Sequence, residues 1–179
     1  MSAKSRLSVY LEPTLLRALE RFALEHRKSK SLVAEAAISA FLAPDAIPRS
    51  LLEGEEHLPE PLSSCVRNSE RLDDCIAILS RYSLIGAADN LFSIHRLVQA
   101  VVQDRLSPED QKKWAESALR MVNDAFSFSQ YDQKTWEKCS EIFSSAFYVS
   151  EHAQRYEALL QETAHLLNNL GLCLVNRME

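Results

Sequence analysis

The chain has 179 residues, of which 46% are hydrophobic and only three are glycine, and its formal net charge is −5. No apolar run approaches the roughly 20 residues that a membrane-spanning helix needs, and the N-terminus lacks the uninterrupted apolar stretch of a signal peptide. We therefore expect a mainly helical, cytoplasmic protein with one small and one larger module.

The first 43 residues predict one strand and two short helices. In the strand, apolar Leu7, Val9 and Leu11 alternate with polar Arg6, Ser8 and Tyr10, which gives one face for burial and one for solvent. Pro13 suits the first turn of a helix that ends near His26. A second helix starts after Ser29 or Ser31, and its apolar stripe comprises Leu32, Val33, Ala36, Ala37, Ala40 and Phe41. Elements of this size cannot close a core alone, so we expect residues 1–43 to form a homodimer.

This order of elements resembles the ribbon-helix-helix domains of small bacterial repressors and antitoxins. The resemblance implies that two strands, one from each protomer, form a ribbon that enters the major groove of double-stranded DNA. It assigns base contacts to Arg6, Ser8 and Tyr10. It assigns phosphate contacts to the start of the second helix and the residues around it, namely Lys4, Lys28, Ser29, Lys30 and Ser31. The turn departs from the family, because His26-Arg27-Lys28 stands where glycine is usual.

The charge distribution also favours DNA contact by one end of the chain. Residues 1–43 hold seven Lys and Arg against four Glu, a net charge of +3, which leaves −8 for the other residues. Phosphate attracts the basic end and repels the acidic body. The alternative is that Arg6, Ser8 and Tyr10 are only the solvated face of an edge strand. We prefer DNA contact because the order of elements, the missing core and the basic turn all agree with it.

The next segment contains several prolines and acidic residues, which predict a linker over residues 44–68. The linker has room for one helical turn near Arg49–Glu53. A helix capped by Ser69 follows, and one side of it carries Leu72, Ile76, Leu79 and Tyr82.

A winged-helix-like arrangement is predicted for residues 69–106. Two apolar runs, Ser83–Ile85 and Leu91–Ile94, flank Gly86–Asn90 and predict a hairpin. A helix from His95 to Leu106 comes next, and its inward residues are Leu97, Val98, Val101, Val102 and Leu106. The wing has no Lys or Arg, which argues against DNA contact by this region.

Long helices are predicted for residues 107–179. Ser107-Pro108-Glu109-Asp110 is a strong helix start, with a capping serine, a proline in the first turn and acidic residues against the helix dipole. We expect antiparallel helices near Pro108–Phe126, Thr135–His152 and Tyr156–Val175. Their inward residues are predicted to be Trp114, Leu119, Trp136, Ile142, Phe143, Phe147, Leu160, Leu167 and Leu170.

The segments AFLAPDAIPRSLL, ILSRYSLI and LFSIHRLVQAVVQDRL resemble the winged-helix region of NB-ARC-type signalling ATPases. LLNNLGLCL is similar to the first helix of a tetratricopeptide repeat, which commonly follows that region. The only glycines are Gly54, Gly86 and Gly171, so no Walker loop is present and ATP hydrolysis is excluded. In intact relatives the histidine corresponding to His95 contacts nucleotide. Here we expect it to be a helix-start residue satisfied by nearby backbone.

Little else in the sequence points to chemistry. Cys65, Cys75, Cys139 and Cys173 are too widely spaced for a zinc site or a disulfide framework, and we expect buried thiols. No partner at a diagnostic spacing accompanies the remaining histidines His57, His152 and His165. We predict neither an enzyme nor a cofactor or metal.

The expected fold is therefore mainly α, with a ribbon-helix-helix module, a linker, a winged-helix-like region and a tetratricopeptide-like helical region. Two functions remain. The first is a dimeric DNA-binding regulator whose acidic body binds an effector or a protein. The second is a non-catalytic adaptor, or a fragment of an NB-ARC ATPase, that binds a protein through an exposed apolar end around Leu166, Leu170 and Leu174. Ile38–Leu42 suits both resemblances. We favour the first because every element of its module is present.

Overall fold

The computed structural model describes residues 38–52, 55–59, 63, 66–129 and 133–177. Over these ranges it contains a small sheet and long helices: β1 (Ile47–Pro48), α1 (Ser69–Arg81), β2 (Ile85–Ala88), β3 (Leu91–Ile94), α2 (Arg96–Arg105), α3 (Pro108–Ala125), α4 (Gln133–Arg155) and α5 (Leu160–Arg177). The predicted mainly helical class is confirmed for this part of the chain. No helix within these ranges is long and apolar enough to cross a membrane.

The sheet is antiparallel and has the order β1-β3-β2. Ile47 lies opposite Phe92, and Ile85 lies opposite Ile94. Pro48 is accommodated because β1 is an edge strand, where a missing N–H disrupts no ladder between two neighbours. The sheet therefore connects the segment after residue 43 to the hairpin predicted from the apolar runs.

The hairpin is confirmed, but β2 begins two residues after the predicted start at Ser83. Ser83 has a left-handed φ of 56°. Its N–H donates to the Ser80 carbonyl, and the Leu84 N–H donates to the Leu79 carbonyl at 3.0 Å. This bond pattern is the Schellman motif that ends a helix. Ser83 and Leu84 therefore close α1 instead of starting a strand.

Part of the predicted linker belongs to the core. Ile47, Leu51 and Leu52 are all buried, although the prolines and glutamates around them suggested a free connection. The helical turn predicted near Arg49 is present as a 3-10 helix over Arg49–Leu51. The Arg49 guanidinium also lies 2.5 Å from the Asp73 carboxylate of α1. The composition of this segment did not indicate that these three side chains pack inward.

The segment before the sheet packs into the same core. Ile38, Phe41 and Leu42 are fully buried, and the Phe41 ring meets the rings of His152 and Tyr156 edge-on, with centroid distances of 5.3 and 6.0 Å. Ala40 and Phe41 were predicted to belong to the apolar stripe of a ribbon-helix-helix dimer. In the structure they are used within the body, so they are not available to that dimer core.

Two glutamines fix the backbone of this segment. The buried Gln99 amide donates to the carbonyls of Ser39 and Leu42, at 3.2 and 2.9 Å. The Gln103 amide donates to the Ala40 carbonyl at 2.6 Å. Because a chain end that leaves a helix has unpaired carbonyls, side-chain donors are needed where it is buried. The two glutamines of α2 provide them.

The three C-terminal helices pack against one another, and α4 also contacts β1. The predicted start of α3 is confirmed, since the Ser107 hydroxyl accepts a bond from the Asp110 N–H at 3.1 Å. α4 extends beyond both predicted ends, and α5 begins at Leu160, four residues later than predicted.

The predicted core of these helices is partly confirmed. Trp114, Leu119, Ile142 and Leu170 are buried, whereas Phe147, Leu160 and Leu167 are 51%, 75% and 41% exposed. The prediction is wrong for these three because α4 and α5 carry apolar residues on more sides than the sides that pack against the rest of the body. Cys75, Cys139 and Cys173 are buried as expected, and Cys65 lies outside the described residues.

The turn between α4 and α5 contains a strained position. The Ala158 N–H donates to the Ala153 carbonyl at 2.9 Å, and Glu157 has a left-handed φ of 49°. This is a second Schellman motif, in which glycine is the preferred residue. Glu157 therefore adopts a conformation that its Cβ disfavours.

We expect Glu157→Gly to raise the free energy of unfolding by about 0.5–1 kcal/mol, because glycine has no Cβ to strain this backbone. Urea denaturation measures the change. Glu157→Ala is the matched control, since it removes the charge but keeps the Cβ, and it should produce no such gain. An equal gain in both variants would attribute the effect to charge and contradict the conformational explanation.

Candidate functional site

The residues predicted to contact DNA lie outside the described part of the chain. These are Arg6, Ser8 and Tyr10 for the bases, and Lys4, Lys28, Ser29, Lys30 and Ser31 for phosphate. Their roles stay predictions.

The three leucines predicted to bind a partner are divided between the two sides of α5. Leu166 is 0% exposed and Leu170 is 4% exposed, whereas Leu174 is 46% exposed. The predicted exposure of Leu166 and Leu170 is wrong because both face α3 and α4, together with Thr163 and Cys173. Only Leu174 is accessible to a partner.

The accessible side of α5 is nevertheless apolar. Leu160, Leu167, Leu174 and Val175 are all exposed, and Ala164 and Gly171 fall between them at helical spacing. A Cβ built on Gly171 would meet no atom within 4 Å. We call these six residues the apolar face. It carries no charged group along about 22 Å of helix, as estimated from the rise per residue.

A second feature is a cavity of about 640 Å³ between α2 and α4. Its charged and polar lining includes Arg96 of α2 and Tyr148, Glu151, His152 and Arg155 of α4. We call it the basic groove, because its charged lining comprises two arginines and one glutamate. The groove exists because α2 packs its glutamines on the segment around Phe41, which holds α2 beside α4.

His152 forms the floor of the basic groove. Its ring stacks on Tyr156, with a centroid distance of 6.1 Å and an interplanar angle of 10°, and lies 5.9 Å from the ring of Tyr148. The residue is only 8% exposed. Burial, and secondarily the Arg155 guanidinium, lower the pKa of His152 from 6.5 to about 4. The imidazole is therefore neutral at neutral pH and offers one donor and one acceptor.

The polar groups of the groove differ in how they are used. The Gln99 amide is committed to the backbone of Ser39 and Leu42. Among the residues that the structure describes, neither the His152 ring nitrogens nor the guanidinium groups of Arg96 and Arg155 have a hydrogen-bond or ion-pair partner. The two arginine side chains are exposed to solvent, whereas His152 is mostly buried. The groove therefore presents donors that no described residue uses.

The pKa of His152 predicts a pH dependence of stability. A histidine whose pKa is lower in the folded state binds its proton more readily in the unfolded state, so stability falls as the pH drops from 6.5 to 4. We expect protonation of this residue to lower the free energy of unfolding by about 3 kcal/mol between pH 6.5 and pH 4. The groups that face it are Arg155 and Glu151 on α4 and Arg96 on α2. Arg155 disfavours the protonated ring further.

Urea denaturation between pH 4 and 7.5 tests this expectation. The difference in stability between the wild type and His152→Phe should change across this range, because phenylalanine retains an aromatic ring and does not titrate. His165→Gln serves as the control, since His165 is exposed on α5. A difference that is constant with pH would contradict a buried neutral histidine.

An apolar extension continues from the basic groove. A neighbouring cavity of about 360 Å³ shares Arg96 and Tyr148 with it and is lined by Ala43, Pro44 and Phe147. Phe147 is half exposed because it forms a wall of this extension and lies outside the helix interface. The two cavities together combine a cationic end with an apolar end.

The other histidines have structural roles in the described part of the chain. His95 caps α2, and its Nδ1 accepts a bond from the Leu97 N–H at 3.2 Å, which confirms the expectation of a backbone-satisfied helix start. His57 pairs with the Asp124 carboxylate of α3. No sequence signal pointed to this pair, because the two residues are far apart in the chain.

No sequence motif singled out His152 either. The spacing of Tyr148, His152 and Tyr156 by four residues was the available signal, since it predicts one aromatic side of a helix. Within the described ranges no cluster of three or more metal-ligating side chains occurs.

Residues 22–111 match a domain of unknown function, DUF7779, over just over half of the chain. The chain belongs to the DUF7779 family. No curated protein and no solved structure matches it. The DUF7779 region includes the sheet, α1 and α2 and stops in the first residues of α3. The basic groove is therefore built from α2 of the DUF7779 region and α4 beyond it.

Proposed function

We propose that this DUF7779 protein is a non-catalytic adaptor whose apolar face on α5 binds an amphipathic helix of a partner protein. The observation that carries the proposal is that α5 is apolar on two sides and buries only one. Exposed apolar surface costs about 25 cal/mol per Å² relative to burial, and contiguous patches of it are typical of interaction sites.

The geometry of the apolar face favours a helix as the occupant. α3, α4 and α5 are consecutive helices that pack on one another, and the apolar face presents the same kind of surface for one more helix. In helical repeat proteins each unit buries its apolar side against a stacked neighbour. The face has no charged residue, so the complementary side of the partner helix is apolar, with anchors spaced by three and four residues.

Site-specific photo-cross-linking in cells that express the protein tests the adaptor proposal. With p-benzoylphenylalanine at position 167, we expect a cross-link to one protein. The same probe at the exposed position 161 serves as the control and should not form that cross-link. Leu174→Glu should abolish the cross-link from position 167 without unfolding the chain, because Leu174 is exposed. Equal cross-linking from both positions would contradict the proposal. Cross-links only to a second copy of this chain would also contradict it, and would show that the apolar face forms a homodimer.

DNA binding by residues 1–43 is a second proposal, and the charge distribution supports it. These residues have a net charge of +3 in a chain whose total is −5, and a basic end is attracted to phosphate. Since Ala40 and Phe41 pack within the body, a dimer core would have to be formed by the earlier apolar residues alone. In this proposal the regulator is a homodimer in which Arg6, Ser8 and Tyr10 contact the bases.

The DNA proposal is tested by measuring the solution mass and the affinity for random duplex DNA at two salt concentrations. A wild-type dimer should bind more weakly at the higher salt, because contacts with Lys and Arg release counterions. The double variant Arg6→Ala, Tyr10→Ala should remain a dimer and lose the binding. A monomer that does not bind DNA would overturn this proposal and leave the adaptor proposal intact.

A further inference from the structure

We propose that the basic groove binds an organic oxyanion, a carboxylate or phosphate monoester that carries an apolar group. The site is independent of the apolar face, because α2 and α4 form it and α5 does not line it.

The cationic end of the groove selects the charged group. Arg96 and Arg155 lie on different helices and line the same cavity, so an oxyanion placed between them can accept bonds from both. Guanidinium groups suit carboxylate and phosphate because their planar N–H groups pair with two oxygens at once. Neither guanidinium group has an ion-pair partner within the described ranges.

His152 provides the second, independent observation. The residue is 8% exposed and lines the cavity, and its ring nitrogens have no hydrogen-bond partner among the described residues. A neutral imidazole donates one N–H, and a bound oxyanion would accept it without the cost of placing a cation in the floor of the groove. The stacked Tyr156 and the edge of Phe41 hold the ring in place, so the donor is positioned before the ligand binds.

The apolar extension determines which apolar group the oxyanion can carry. Ala43, Pro44 and Phe147 line a neighbouring cavity that shares Arg96 and Tyr148 with the basic groove. An aromatic or short aliphatic group fits this lining, since ligand sites combine apolar walls with a few fixed polar groups.

The acidic residues of the groove limit the charge of the ligand. Glu151 lies beside His152 in the basic groove, and Asp45 lies in the apolar extension. Both are exposed, so solvent and salt weaken their repulsion of one oxyanion. A polyanion such as nucleic acid would meet both carboxylates. The groove is therefore specific for a ligand with a single anionic group.

NMR of the histidine side chains of the full chain tests the site, with phenyl phosphate as the probe. We expect phenyl phosphate to shift the His152 signals saturably and to raise the measured pKa of His152, because a bound anion favours the protonated ring. His165 should not respond. Inorganic phosphate should bind at least about tenfold more weakly because it leaves the apolar extension empty, and phenol should not raise the pKa. Benzoate tests the carboxylate form of the same chemistry.

Charge variants separate the site from general attraction. Arg96→Gln and Arg155→Gln should each weaken phenyl phosphate binding at least about tenfold, the effect expected for losing one charge-assisted hydrogen bond. Arg105→Gln on α2 and Lys138→Gln on α4 are matched controls that lie outside the groove, and both should bind as the wild type does. All four side chains are exposed, so the fold should be retained. No saturable shift of His152, or equal binding by groove and control variants, would overturn the proposal.

Discussion

Phe41→Ala is expected to lower the free energy of unfolding by about 3–5 kcal/mol, the range for removal of a buried aromatic ring from a packed core. Phe41 is fully buried and contacts His152 and Tyr156 at the C-terminal end of α4. The substitution removes these contacts and leaves a cavity between the segment 38–43 and the body. Urea denaturation followed by circular dichroism measures the loss.

Phe147→Ala is the matched control for this substitution. It removes the same ring from the same protein at a half-exposed position in α4, and we expect a change within about 0.5 kcal/mol. An equally small effect of Phe41→Ala would mean that residues 38–43 do not dock on the body in solution. That result would restore Phe41 to a separate N-terminal module and strengthen the DNA proposal.

The second substitution expected to destabilise the fold is Gln99→Met, which should lower the free energy of unfolding by about 1–3 kcal/mol. Methionine has nearly the volume of glutamine but donates no hydrogen bond. The Leu42 carbonyl therefore loses its buried donor, whereas the Ser39 carbonyl still accepts a bond from the Leu42 N–H at 3.3 Å. Each unsatisfied buried group costs about 1–3 kcal/mol. The loss is therefore an effect of polar pairing, with little contribution from packing.

Gln161→Met is the control for polar pairing. Gln161 is exposed on α5, where water replaces any bond that the amide makes, and the expected change is within about 0.5 kcal/mol. Hydrogen exchange gives a second measurement: in Gln99→Met, amides in the segment 38–43 should exchange faster than in the wild type. Unchanged exchange would contradict the role of Gln99 in docking this segment.

These two substitutions bear on function because the docked segment holds α2 beside α4. If residues 38–43 are released, the lining of the basic groove loses its support on the α2 side, and Phe41 no longer contacts His152. We therefore expect both variants to affect the His152 environment as well as stability. The apolar face on α5 is remote from this contact and should remain intact, so the two proposed sites are separable by mutation.

The sequence by itself determined the features that depend on neighbours within a few residues. Ser107-Pro108 begins α3 because a hydroxyl cap and a proline act within one turn. The apolar runs around Gly86–Asn90 form the hairpin, and His95 caps α2 through the amide two residues later. These interactions are local, so spacing was enough to predict them. The two-residue shift at Ser83 arose because a serine can adopt the left-handed conformation that ends a helix.

The tertiary structure alone decided which apolar surfaces are buried and which polar groups meet. α5 is apolar on two sides, and periodicity could not show that Leu166 and Leu170 face α3 and α4 while Leu167 and Leu174 face solvent. Phe41 fits a ribbon-helix-helix stripe as well as the body, and only its contacts with His152 and Tyr156 place it in the body. The neutral state of His152 likewise follows from burial by α2 and the docked segment. Contacts between distant residues depend on how the helices pack, and local sequence patterns do not predict that packing.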